Sequence, residues 1–263
     1  MGSGEGVDDG GKQQDDIKET LPSAPQFDDE IFVEDTLVGS IKLLLLERNG
    51  INNILPKQLF LVGHDWGAAV AYVVAAAAPE RFRTLTVMAV PHAGRFAREG
   101  LRIPKQLRLS WYMGFFNIPW ISDWVVQRQD YAFIRKLWRD WSPGWQPEPG
   151  VLDDVIQTLS QPGVRSAALG YYRVALSVKA LLVSAEEAHY AVPVPTLALS
   201  GERDGCIASD VFERLMVEQD FPQGLTFRRI PEAGHFLHQE QPERVNRKIV
   251  EWLTLNDERL ATH

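Results

Sequence analysis

The sequence predicts an α/β protein: a mostly parallel sheet with a helical segment inserted between two of its strands. Three observations carry that expectation. Short apolar runs at about 59–63, 85–90, 195–200 and 225–230 read as strands buried on both faces, with helical patterns between them. From Ala93 to about Ser184 strand alternation stops, and six of the eight Trp (111, 120, 124, 138, 141 and 145) fall there. Lastly, Asp65, Asp204 and His235 each sit just past the end of a strand-like run, where open α/β sheets hold their sites.

Composition narrows the class. The formal charge of −8 is lopsided: residues 1–35 hold 11 acidic and 2 basic side chains, or −9, which leaves 25 − 24 = +1 elsewhere. No basic stripe points to nucleic acid. A single cysteine, Cys206, excludes an intramolecular disulfide and fits a reducing compartment. The N-terminus has no apolar signal-like core, and the longest apolar run, Ala68 to Ala78, is 11 residues, too short to span a bilayer. The expectation is a cytoplasmic protein without a membrane span.

Residues 1–28 read as a disordered acidic tail. From Asp29 the pattern turns helical. Ile31, Leu37, Val38, Ile41, Leu44 and Leu45 can line one face and Gly50 can end it, so a helix is predicted over about 30–48. The expected organisation is then a core of 29–92 with 185–263, and a helical lid at 93–184 whose aromatic density suits a cover over an apolar pocket. The last helix, from Pro242 to Leu255, turns Val245, Ile249, Trp252 and Leu253 inward.

The most informative stretch is 59–78. Leu59 to Val62 is a strand, Gly63-His64-Asp65-Trp66-Gly67 a turn, and the Ala/Val-rich run up to Pro79 a helix. Strand, sharp turn and helix form a nucleophile elbow, whose central residue projects above the sheet. Two glycines flank it because the strand and helix backbones approach closely there. An Asp at the centre attacks carbon without an activating base. The competing reading is that Asp65 only caps the helix. A fold that places Asp65, Asp204 and His235 together favours chemistry.

Val-Gly-His-Asp65-Trp-Gly-Ala-Ala, the Pro-Glu-Arg at 79–81, Gly-Glu-Arg-Asp204 and Ala-Gly-His235-Phe resemble the epoxide hydrolase branch of the α/β-hydrolase family, over about residues 27–253. The resemblance implies Asp65 as nucleophile, with His235 as the base oriented by Asp204. Ser-Trp-Tyr112-Met-Gly-Phe-Phe and Gly-Tyr171-Tyr172-Arg look like the two lid segments that each supply a tyrosine; Tyr112 and Tyr172 are the carry-over, with Tyr171 in reserve. Trp66 offers its backbone N–H to an oxyanion and its ring to the pocket wall. The implied reaction is hydrolysis of a small apolar epoxide to a diol through an alkyl ester on Asp65. No cofactor is implied, and no Cys/His cluster has metal-ligand spacing. His64, Glu202, His238 and His92 read as supporting or surface residues, and His189 has no assigned role.

The chain also departs from the family pattern. It contains no His-Gly dipeptide, although the family's oxyanion loop is His-Gly-x-Pro, and residues 1–58 hold no convincing strand. About four strands are assignable, giving a partial α/β-hydrolase fold with the nucleophile strand at an open apolar edge. Such an edge predicts self-association into a homo-oligomer, and the missing donor predicts impaired activity. Two other readings stay open. A haloalkane dehalogenase also uses Asp followed by Trp, and a catalytically silent hydrolase-fold protein would bind a ligand or partner.

Overall fold

The computed structural model describes residues 29–32, 41–45, 59–176 and 190–261, with side chains described for 59–176 and 190–256. The expected tail at 1–28, Gly50 and His189 lie outside the described residues. Six strands form one sheet in chain order: β1 (Asp29–Phe32), β2 (Ile41–Leu45), β3 (Leu59–His64), β4 (Phe82–Met88), β5 (Thr196–Gly201) and β6 (Leu225–Ile230). The pairs β3–β4, β4–β5 and β5–β6 are parallel. These four are the strands expected from sequence, side by side in the expected order.

The expectation for 30–48 is overturned. Where a helix was predicted, Asp29–Phe32 and Ile41–Leu45 are strands, paired antiparallel to each other and then to β3. Ile41 faces Gly63 and Leu44 faces Phe60 across the ladder. β3 is therefore not an open edge, and the self-association argued from that edge loses its basis. The physical reason is that an unpaired apolar strand leaves its backbone groups without partners. A short leucine-rich run, ambiguous between helix and strand by pattern, pairs with it instead.

Strand alternation sorts the core onto two faces. Leu61, Leu85, Val87 and Ala198 belong to one buried cluster, with α1 (Trp66–Ala77) and the inserted helices. Phe60, Val62, Leu197 and Leu199 belong to the other, against Val245, Trp252 and Leu253 of the C-terminal helix Pro242–Ala261. Among the described residues the segment between β4 and β5 is helical. It includes α2 (Ala93–Arg98), α3 (Pro104–Leu109), α4 (Trp111–Phe116), α5 (Ile121–Trp141), α6 (Val151–Ser160) and α7 (Val164–Ala175). No helix among the described residues is long and apolar enough to cross a membrane.

Close packing of β3 on α1 sets the turn between them. A Cβ on Gly63 would lie 2.6 Å from the Gly67 carbonyl oxygen and 2.8 Å from Ala68 Cα, both backbone atoms that cannot swing aside. Gly114, exposed on α4, has open space around its Cβ direction. Gly63→Ala should therefore destabilise the chain by about 1–3 kcal/mol or more, as overpacking does. Gly114→Ala should be neutral or stabilise by up to about 1 kcal/mol. Urea unfolding midpoints at an unchanged slope measure both; equal effects would mean that the β3–α1 approach is looser than described.

Candidate active site

Asp65 occupies the turn with φ 50° and ψ −124°, a left-handed backbone that non-glycine residues avoid at a cost of about 1–3 kcal/mol. The turn is held from both sides. The Asp65 N–H donates to the Met88 carbonyl at 3.2 Å, and its carbonyl accepts from the Ala69 N–H at 3.1 Å. Its carboxylate makes no capping hydrogen bond to α1. Instead it lines a cavity of about 580 Å³ together with Trp66, Tyr112 and Tyr172. The capping alternative fails on that geometry.

Two loops bring the other charged residues behind it. Asp204 follows β5, and its Oδ1 accepts the N–H groups of Cys206 and Ile207 at 2.7 and 2.9 Å. Its Oδ2 lies 3.0 Å from His235 Nδ1, in the loop after β6. The ring's other nitrogen, Nε2, stands 3.8 Å from Asp65 Oδ1, beyond hydrogen-bond length, and has no hydrogen-bond partner although the ring is fully buried. Burial works against charge on His235, but Cys206 and the carboxylates of Asp204 and Asp65 more than reverse it, so its pKa stands well above the usual value. Burial also pushes the Cys206 thiol up.

Small residues let these loops touch. A Cβ on Gly201 would lie 1.9 Å from the Gly234 carbonyl oxygen, and one on Gly205 2.0 Å from that of Asp140. The last carbonyl of α5, on Trp141, accepts from both the Gly205 N–H at 2.9 Å and the His235 N–H at 3.1 Å. Glu240 adds a second brace, accepting from the Gly234 N–H at 2.7 Å and the Ser142 hydroxyl at 2.6 Å. The helical segment thus fixes the loops that carry Asp204 and His235.

The two tyrosines meet from opposite ends of that segment. Tyr112 on α4 and Tyr172 on α7 are both buried, with ring centroids 5.7 Å apart in a T-shaped pair. Tyr112 Oη lies 3.2 Å from Cys206 Sγ, and the Tyr172 ring meets that of Trp66 edge-on at 5.2 Å. Burial pushes both phenols well above their ordinary pKa, and the Asp65 carboxylate adds to it, so both keep their protons. Tyr171 is 48% exposed and packs on the outer side of Trp66.

His64 and His92 make contacts away from the cavity-facing carboxylate. Burial, followed by the neighbouring His238 and His235, holds the His64 pKa well below the usual value, and the neutral ring's Nε2–H donates to the His235 carbonyl at 2.9 Å. His92 caps α2, accepting from the Arg95 N–H at 3.3 Å, and reaches the Tyr190 carbonyl at 2.9 Å. Glu202 only accepts from the Glu232 N–H at the surface. Sequence reasoning missed Trp141, Ser142, Glu240 and Cys206. The Gly-Cys pair directly after Asp204 is the one local signal for the last of them.

A family model described as the alpha/beta hydrolase family matches residues 19–248. Human epoxide hydrolase 4 is 34% identical over 231 residues, covering 85% of this chain and 59% of that protein. The mouse protein of the same name is 30% identical over 236 residues, covering 87% and 61%. The chain thus spans about three fifths of the length of these relatives. Among solved structures, an epoxide hydrolase of Bacillus megaterium in complex with an inhibitor superposes with a TM-score of 0.58 at 27% identity, over 73% of this chain and 68% of that one. The chain belongs to the alpha/beta hydrolase family, beside proteins named epoxide hydrolases.

Proposed function

We propose that this chain hydrolyses an apolar epoxide to a vicinal diol through a covalent ester on Asp65. One observation carries the reading: a strained, cavity-facing carboxylate shares its cavity with two buried, protonated phenols and has an unpartnered imidazole nitrogen 3.8 Å behind it. In the first step an Asp65 oxygen attacks one ring carbon and that carbon's bond to the ring oxygen breaks. The oxygen takes its proton from Tyr112 or Tyr172, since an unassisted epoxide oxygen leaves poorly. In the second step His235 takes a proton from water as the hydroxide adds to the ester carbonyl. The Trp66 backbone N–H donates to the resulting oxyanion. Collapse expels the diol oxygen, which is protonated by the His235 imidazolium, and leaves Asp65 as the carboxylic acid, whose proton returns to the phenolate and so restores the carboxylate.

The electrostatics support this order. Ester formation removes the Asp65 charge, one of the groups that raise the His235 pKa, so the ring loses affinity for a proton just when a base is needed. Ester breakdown should therefore quicken as pH rises through the His235 pKa of the ester, and that pKa should lie below the one in the free enzyme. Stopped-flow decay of the ester across pH measures it, and a rate that falls with rising pH would contradict the base role.

His235→Gln should still form the ester and fail to release it. Intact mass after brief exposure to a styrene-type epoxide should show one adduct, and Asp65→Asn should show none. In the wild type, with the His-Gly donor motif absent, a burst of ester followed by slow release is the expected course, because loss of one oxyanion donor costs about 10²–10³ in rate. Steady turnover without a burst would mean that another N–H completes the hole.

The phenols separate this reading from halide displacement. Tyr112→Phe with Tyr172→Phe should lower ester formation from an epoxide by about 10²–10⁴, the usual worth of a positioned acid. Ester formation from an alkyl halide needs no proton donor. A double variant that loses both reactions equally would favour a merely structural role for the rings.

A further inference from the structure

Helix α3 turns an amide inward rather than a leucine. Gln106 is its one buried residue and is fully enclosed, while Leu107 beside it is 58% exposed. An enclosed amide is costly unless its polar atoms are paired, and those of Gln106 are. Its Nε2 donates to the Cys206 carbonyl at 2.8 Å and to the Ser110 hydroxyl at 2.9 Å, and its Oε1 accepts from the Ala208 N–H at 3.1 Å. The chemistry above makes no use of it. We propose that Gln106 is a positioning residue for the reaction. It ties the loop that carries Asp204 to the start of α4, and so holds the Tyr112 hydroxyl where it can protonate the epoxide oxygen.

Both ends of the tie lie against reacting groups. Ser110, itself buried, is the residue just before α4, and Tyr112 follows two positions on. On the other side, Cys206 joins three partners. Its carbonyl accepts from Gln106, its N–H donates to Asp204 Oδ1 at 2.7 Å, and its Sγ lies 3.2 Å from Tyr112 Oη. Gln106 therefore fixes the spacing between α4 and the segment 206–208, and that spacing sets where the phenol comes to rest. A tyrosine hydroxyl stands at the far end of its side chain, so a small tilt of α4 moves it further than the backbone moves. Displacing a reacting group by about 1 Å can cost about 10²-fold in rate. The inference rests on the reading of Tyr112 as an acid and adds the element that aims it. An amide that only filled space and paired backbone groups would, when replaced, lower stability and depress every rate together.

The test is a double-substitution cycle on the full chain, read in stopped flow as the rate of ester formation from a styrene-type epoxide. Tyr112→Phe alone should lower that rate by at least about tenfold. Gln106→Met keeps the length of the side chain and removes its hydrogen bonds, and should lower the rate by about 10–100-fold. In the Tyr112→Phe background the same change should cost less than about twofold, since no hydroxyl is left to aim. Ser110→Ala removes only the link to α4. It should slow ester formation by about 3–10-fold with Tyr112 present and leave it unchanged in Tyr112→Phe, which keeps the proposal testable if Gln106→Met does not fold. Circular dichroism checks the fold of each variant. A wild-type rate in Ser110→Ala, or losses that multiply in the double variants, would overturn the inference while leaving Tyr112 as the acid. A wild-type rate in Tyr112→Phe would overturn the acid reading and this inference with it.

Discussion

The contact on which the site depends is the approach of the β3 backbone to the first turn of α1. A side chain at Gly63 would overlap the Gly67 carbonyl, so the strand can run directly into the helix only if that position is bare. The turn left between them puts Asp65 on the left-handed side of its backbone map, and the Met88 carbonyl and Ala69 N–H hold it there. Strain at one residue is thus sustained by packing at its neighbours, and its consequence is directional: the carboxylate leaves the helix end unbonded and faces the cavity.

The same device recurs where the other loops meet. Gly201 against Gly234 and Gly205 against Asp140 bring three chain segments to backbone contact, and the Trp141 carbonyl accepts from two of them. The position of His235 is therefore set by the end of α5 as much as by β6. A change in the helical segment that shifts α5 would move the imidazole relative to Asp65, so the segment that covers the cavity also sets the geometry of the reacting groups. Tyr112 and Tyr172 come from that segment as well, which couples pocket shape to the placement of the two proposed proton donors.

How much of this could be read from sequence follows from how local each determinant is. The four parallel strands were legible because runs such as Leu-Phe-Leu-Val carry their burial in their own composition, and the glycines of the elbow because their need is met within five residues. β1 and β2 were not, since the pattern from Ile31 to Leu45 is compatible with a helix face and only the demand of β3 for a partner decides otherwise. Trp141, Glu240 and Cys206 act through contacts made 64 to 98 residues away along the chain, such as Ser142 to Glu240 and Cys206 to Tyr112. No window of sequence displays such contacts.

Charge inside the site links its parts into one system. Three titratable groups, Asp65, Asp204 and His235, lie close together, the last two buried, so a change in one is felt by the others. Three N–H groups hold Asp204 in place. Asp65 is the variable one: it loses its charge in the proposed ester and regains it on hydrolysis. His235 lies between them and reads the difference as a change in its own proton affinity. In this arrangement the chemistry of the first step prepares the base for the second without any movement of the backbone.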